Sequence, residues 1–476
     1  MAWSLAILDD GITNQVQANS GKPITIEYDF YDGTVDTDNG FPGTHANDVF
    51  RSALKVSRSY DVLDLKVADP YSGDYFDFAI EQSLQYLVDN PALHLAAVNM
   101  SFGGQGYPYS FADEIATLAA RGVLSVVAAG NNGDRFSLES PLYPAALPNV
   151  IAVGSHDGAG NPSDFSQNGH SVDILADGED MPRAGLDGTS FAAPRVAATV
   201  THAQAIVFGL TGHVLNANQM IDVLQLGGAG PRSKPDPADG HTRYFLHDHV
   251  RSMDYAWSHY GGSPTKALEY IASHQDLIAA FGAEPLTGQR HYERAGSIEE
   301  RSITFDALPY LASYGDLIAA FGANEQAAAA HYITAGLREG RSITFDGLDY
   351  VASYGDLIAA FGADEQAAAT HFVTAGFREG RSITFDGLDY IASYRDLIAA
   401  FGPNEAAGAT HFITSGSRES RLPGDFDEDQ YLENYADLRA AFGNDTEAAT
   451  RHYITNGWAE GRTDEALVRT AADFLL

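Results

Sequence analysis

Apolar residues are distributed along this chain in two ways. Between residues 1 and 258 they gather in short runs at 5–8, 63–67, 96–100, 123–128 and 150–153. Runs of that length read as strands buried on both faces. Segments with helical spacing, at 77–88 and 111–121, lie between them. Strands alternating with helices predict an α/β domain: a mostly parallel sheet with helices on both faces. A turn-rich stretch at 227–240 (GGAGPRSKPDPADG) is expected to run over its surface.

From about Ala267 the chain becomes a tandem repeat of one unit. Tyr270, Tyr310, Tyr350 and Tyr390 mark it at equal spacing, and Tyr431 follows one position late. His291, His331, His371, His411 and His452 keep the same register, giving five copies. In the third, Leu348, Val351, Ile358 and Phe361 share a helical face. Gly362 ends that helix, Asp364 caps a second through Ala368, His371, Phe372 and Ala375, and Gly376 closes it. Each copy therefore predicts a helical hairpin. One hairpin cannot bury both faces alone, so the copies are expected to stack as an all-α array. The divisions expected are 1–258, a linker at 259–266, the repeats at 267–462 and a tail at 463–476.

Charge narrows the partners. The chain holds 64 acidic and 28 basic residues, a net charge of −36. Such a chain repels nucleic acid and anionic membranes. No run of about 18 apolar residues occurs, so no membrane insertion is expected. The absence of cysteine excludes disulfides and thiolate chemistry.

Four local patterns carry candidate chemistry. In AILDDGI (6–12), a strand delivers Asp9 at its C-terminal end. In GTHANDVF (43–50), His45 opens a helical pattern. In VVAAGNNGD (126–134), Asn131 follows a strand. In DGTSFAAPRVA (187–197), Ser190 stands at the start of a buried helix. A serine hydroxyl is a weak nucleophile at neutral pH. A histidine must take its proton and return it to the leaving group, and an aspartate must hold that histidine in the right tautomer. Asn131 can offer an amide donor to a developing oxyanion.

In the order Asp9, His45, Asn131, Ser190, these motifs resemble those of the subtilases, the subtilisin-like serine proteases. The resemblance covers about residues 1–205. It implies the subtilisin-like α/β fold and a serine endopeptidase acting on protein or peptide substrates. Its catalytic residues would be Asp9, His45, Ser190 and Asn131. VNMSFGG (98–104) is similar to the family's substrate-cleft strand, which implies that Ser101, Phe102 and Gly103 pair with substrate. By the same resemblance Ala129, Gly130 and Gly154 contact substrate, Gly154 as a wall of the S1 pocket, and Tyr143–Pro144 is a cis peptide. No cofactor is required for this chemistry; calcium is a candidate structural ion.

The chain departs from the family pattern in having only eight residues before Asp9, no visible propeptide and no long calcium-binding loop after His45. The acidic stretches 32–38 (DGTVDTD) and 425–429 (DFDED) are the calcium candidates. The five histidines read as satisfied core residues, not as a metal ladder. Pairs such as Glu339 and Arg341 read as surface or inter-repeat ion pairs. Asp473, Phe474, Leu475 and Leu476 resemble the C-termini of type I secretion substrates of Gram-negative bacteria, so secretion without a signal peptide is expected, with a cytoplasmic location as the alternative. The repeats' ligand is unknown. The competing functional reading is an adhesive or scaffold protein whose protease domain processes one dedicated partner.

Overall fold

The computed structural model describes residues 3–35, 37–38, 44–58, 60–105, 110–133, 140–167, 169, 171–179, 186–234 and 242–467. It divides into two compact units, Met1–Thr304 and Phe305–Leu476.

The first unit is built on seven strands: β1 (Ser4–Asp9), β2 (Ile26–Asp29), β3 (Asp61–Lys66), β4 (Leu95–Met100), β5 (Leu124–Ala128), β6 (Val150–His156) and β7 (Ile174–Asp177). Their order is β2-β3-β1-β4-β5-β6-β7, and every pairing is parallel. The expected α/β architecture is therefore present. β1 shows why an unbroken apolar run is needed. Ala6 and Leu8 join the core cluster beneath α3 (Asp77–Asp89) and α4 (Ala112–Ala120). Leu5 and Ile7, pointing to the other face, are equally inaccessible.

That other face is covered by α2 (His45–Leu54) and α5 (Thr189–Thr211), which pack on each other. Nearly all of α5 is buried as far as Val207, and it carries Ser190 as its second residue. β2 and β7, which the hydrophobic pattern did not reveal, are the two edge strands. β2 reads IEYD and is only half-buried over most of its length, so it lacks an apolar run.

The first of the five copies lies inside this unit. Its buried Tyr292 packs edge-on against Trp257, ring centroids 5.3 Å apart. Gly209 of α5 has no room for a side chain there, because a Cβ would stand 1.9 Å from the Tyr292 hydroxyl.

The second unit contains the other four copies. Each has three short helices, not the two expected. In the third copy they are Gly347–Ala352, Gly355–Phe361 and Glu365–His371, the last continuing as a π-helical turn, Phe372–Gly376. The break comes at Tyr354, whose backbone is extended. Ser353 Oγ accepts hydrogen bonds there from the N–H groups of Thr384 and Phe385, and the Tyr354 hydroxyl exchanges two bonds with the Ser382 backbone. The returning chain thus takes the polar groups that would otherwise sit on a continuous helix.

Gly362 has the expected positive φ, 58°, and Asp364 caps the third helix through the Ala367 N–H. Gly376 is the last residue of the π-helical turn, but it does not end it through a left-handed conformation. It is glycine because a Cβ would lie 2.2 Å from the Tyr350 hydroxyl. The left-handed residue that ends the copy is Gly380, φ 72°.

The repeated histidines sit in closed pairs. Tyr350 is fully buried and its hydroxyl lies 2.9 Å from His371 Nδ1. The same bond recurs at Tyr270, Tyr310, Tyr390 and Tyr431. Arg381 bonds Glu379 and Asp356 while lying 4.8 Å from the Tyr354 ring centre. These ion pairs brace one copy internally.

Candidate active site

A cleft of about 900 Å³ opens where β1, β4 and β5 end, lined by His45, Ser101, Phe102, Gly103, Asn131 and Ser190 among others. Open parallel sheets gather functional groups at these C-terminal strand ends.

Asp9 closes β1 and is fully buried. Both its carboxylate oxygens face His45 Nδ1, at 2.9 and 3.0 Å. The next residue sets where the histidine stands. The Asp10 carboxylate accepts the N–H groups of His45 and Ala46, at 3.1 and 2.8 Å, and so caps α2 from a neighbouring strand. The two adjacent aspartates divide the work: one engages the imidazole, the other fixes the helix that presents it. Phe191 packs beside the His45 ring, centroids 5.7 Å apart.

Ser190 and Ser101 are linked reciprocally. Ser190 Oγ donates to the Ser101 carbonyl at 3.0 Å, and Ser101 Oγ donates to the Ser190 carbonyl at 2.8 Å. The second bond has a covalent origin. Pro194, four positions on in α5, has no N–H to give to that carbonyl. Asn131 is oriented by its own oxygen: Oδ1 accepts the Thr189 N–H and hydroxyl at 2.8 and 2.9 Å, leaving Nδ2 as the donor end. Ala129 and Gly154, expected to contact substrate, are buried and do not line the cleft, whereas Ala128 and Gly130 do. A Cβ on Gly154 would meet Leu175 at 2.5 Å, so β7 packing accounts for that glycine. Tyr143–Pro144 is cis.

Residues 2–221 match the model of the subtilase family. Subtilisin Savinase of Lederbergia lenta is 32% identical over 207 residues, which cover 72% of that protein and 40% of this chain. The chain belongs to the subtilase family. It is also similar to alkaline protease 1 of Aspergillus clavatus (32% over 204 residues; 40% of this chain, 48% of that protein) and to the alkaline proteinase of Hapsidospora chrysogena (33% over 221; 43% and 52%). The chain thus spans about half the length of these two relatives.

In this subtilase the sequence left one contact unseen. The Tyr75 hydroxyl donates to Asp9 Oδ1 at 2.9 Å and lies 3.4 Å from His45 Nδ1. Its ring lies tilted against Phe102, 4.5 Å between centroids, so the two aromatics form one wall of the cleft. Tyr75 precedes α3 in a turn with no periodic pattern, and nothing local signals a partner so distant along the chain. Asp10, which the sequence reading did not single out, is likewise explained only by its capping bonds to His45 and Ala46.

Electrostatics around His45 are lopsided. Burial opposes the charged imidazole, but the Asp9 charge and hydrogen bond, with Asp10 and Asp48 behind, outweigh it and carry the pKa up to about 9. Burial, then the neighbouring Asp9 charge, raise Asp10 to about 6. In the two acidic stretches considered for calcium, Asp32 and Asp427 are engaged by protein groups. Lys66 Nζ lies 2.6 Å from Asp29 and 3.5 Å from Asp32, and Asp427 caps the helix Glu428–Asn434. The secretion-like residues 473–476 lie outside the described residues.

Proposed function

We propose that this subtilase hydrolyses peptide bonds in protein or peptide substrates through an acyl-enzyme on Ser190. The reading is carried by one observation: His45, Asn131 and Ser190 line a single cleft, and Asp9 holds the His45 ring from behind. Substrate backbone pairs along Ser101–Gly103. The Ser190 hydroxyl then turns from the Ser101 carbonyl to His45 Nε2, which takes the proton as Oγ attacks the carbonyl carbon. The oxygen that gains charge faces Asn131 Nδ2, a donor worth roughly 3–4 kcal/mol in such a state. His45 passes its proton to the leaving amine, Asp9 stabilises the imidazolium meanwhile, and water repeats the sequence to free the acid.

The raised His45 pKa sets the pH dependence. The base must be neutral, so kcat/KM should rise with an apparent pKa near 9. Its sign for stability is opposite. The folded pKa exceeds the unfolded 6.5, so the stabilisation is full below 6.5 and is lost as pH climbs through about 9.

A serine-directed phosphonate probe tests the reading. Labelling mapped to Ser190, absent in Ser190→Ala, is expected together with loss of casein cleavage. Equal cleavage by the variant overturns it. The acidic, cysteine-free composition supports an extracellular setting, tested by recovering the protein from culture supernatant. Among the described residues no helix is long and apolar enough to cross a membrane.

A further inference from the structure

We infer that the joint between the third and fourth copies is a binding site for a hard divalent cation, of the calcium class, held by Asp346, Asp349 and Glu405. One carboxylate oxygen from each lies within 4.8 Å of the others. That is about twice the ~2.4 Å of a calcium–oxygen bond, so one ion can touch all three. Asp349 is only 5% exposed, and its Oδ1 finds no hydrogen-bond donor among the described residues. Its carboxylate takes a backbone bond from Gly387, and one of its oxygens is among the three that face one another. A buried carboxylate oxygen left bare costs stability unless a proton or an ion meets it.

The neighbouring joints act as internal controls, because the same register is occupied differently there. One joint earlier, Pro309 replaces Asp349, and Asp306, the equivalent of Asp346, accepts a hydrogen bond from the Gln366 amide. At the joint in question Gln366 becomes Ala406, so Asp346 loses that partner. One joint later, Asp389 stands for Asp349, but its Oδ1 accepts the Phe426 N–H at 3.0 Å, and Thr446 replaces Glu405. Among the described residues, only the middle joint combines three acids with an unserved oxygen. The cation paired with this group is Arg451, 3.3 Å from Glu405 Oε2.

The test uses the full chain carrying Ser190→Ala, which removes self-cleavage and makes the result independent of the protease reading. Hydrogen exchange is compared with and without about 5 mM calcium, a level suited to weak extracellular-type sites. Peptides covering 347–352 and 405–411 are expected to slow by tenfold or more. Asp349→Asn and Glu405→Gln should abolish that protection and lower the calcium stoichiometry by one, whereas Asp389→Asn leaves both unchanged. Unchanged exchange in both peptides, or protection that survives Asp349→Asn, overturns the inference.

Discussion

His45 and His371 both present Nδ1 to a tyrosine hydroxyl, and they do unlike things. In the array, Tyr350 and His371 form a closed pair at 2.9 Å, and four other copies repeat it. In the cleft, Tyr75 stands off at 3.4 Å, because Asp9 takes the imidazole with both oxygens and takes the tyrosine hydroxyl as well. The inserted carboxylate sets His45 apart from the packing histidines by raising its pKa. The repeated pair only ties the first helix of a copy to its third. A histidine–tyrosine contact is thus not in itself chemistry; a buried charge beside it is.

The sharpest way to break that comparison is Asp9→Asn. A reduction of kcat by about 10⁴-fold is expected, in protein shown by circular dichroism to remain folded. Activity within tenfold of the parent would mean the carboxylate is not what separates the two histidines. Next in size is Gly376→Ala, which forces a Cβ against the Tyr350 hydroxyl. Denaturant titration should show the array destabilised by about 1–3 kcal/mol, with peptidase kinetics untouched.

Two matched substitutions then sharpen the contrast. Tyr350→Phe should cost about 1 kcal/mol of array stability and leave the pH–rate profile alone. Tyr75→Phe should do the reverse. Without that donor, Asp9 pulls harder on the imidazolium, so the acid limb of kcat/KM should move up by about half a pH unit, roughly 0.7 kcal/mol. A downward shift would show that Tyr75 supports His45 and not Asp9.

The sequence announced the central strands and the order of the site residues, because both are written locally. An apolar run such as 96–100 must lie inside a sheet, and Asp9, His45, Asn131 and Ser190 each sit in a recognisable short motif. What it concealed depends on distant partners. Edge strand β2 carries too few apolar residues to stand out. Tyr75 meets Asp9 only when the β3–α3 turn folds over β1. Within the repeats the apolar spacing ran through Ser353 and Tyr354, yet their hydrogen bonds to the chain leaving the same copy split the helix. Gly376 read as a stop signal, but its reason lies in Tyr350, on another helix of the same copy.

The constancy of those bonds has an evolutionary consequence. Ser313, Ser353 and Ser393 each receive, in the same way, the backbone that leads out of their own copy. A stretch of DNA encoding one copy could therefore be duplicated or deleted between Phe305 and the last copy, and the new junction would match ones already present. Two places resist such editing. The first copy is fastened at Gly209, and the joint at Asp349 has no duplicate. Array length is thus free to drift between generations while the folding unit that bears Ser190 stays fixed.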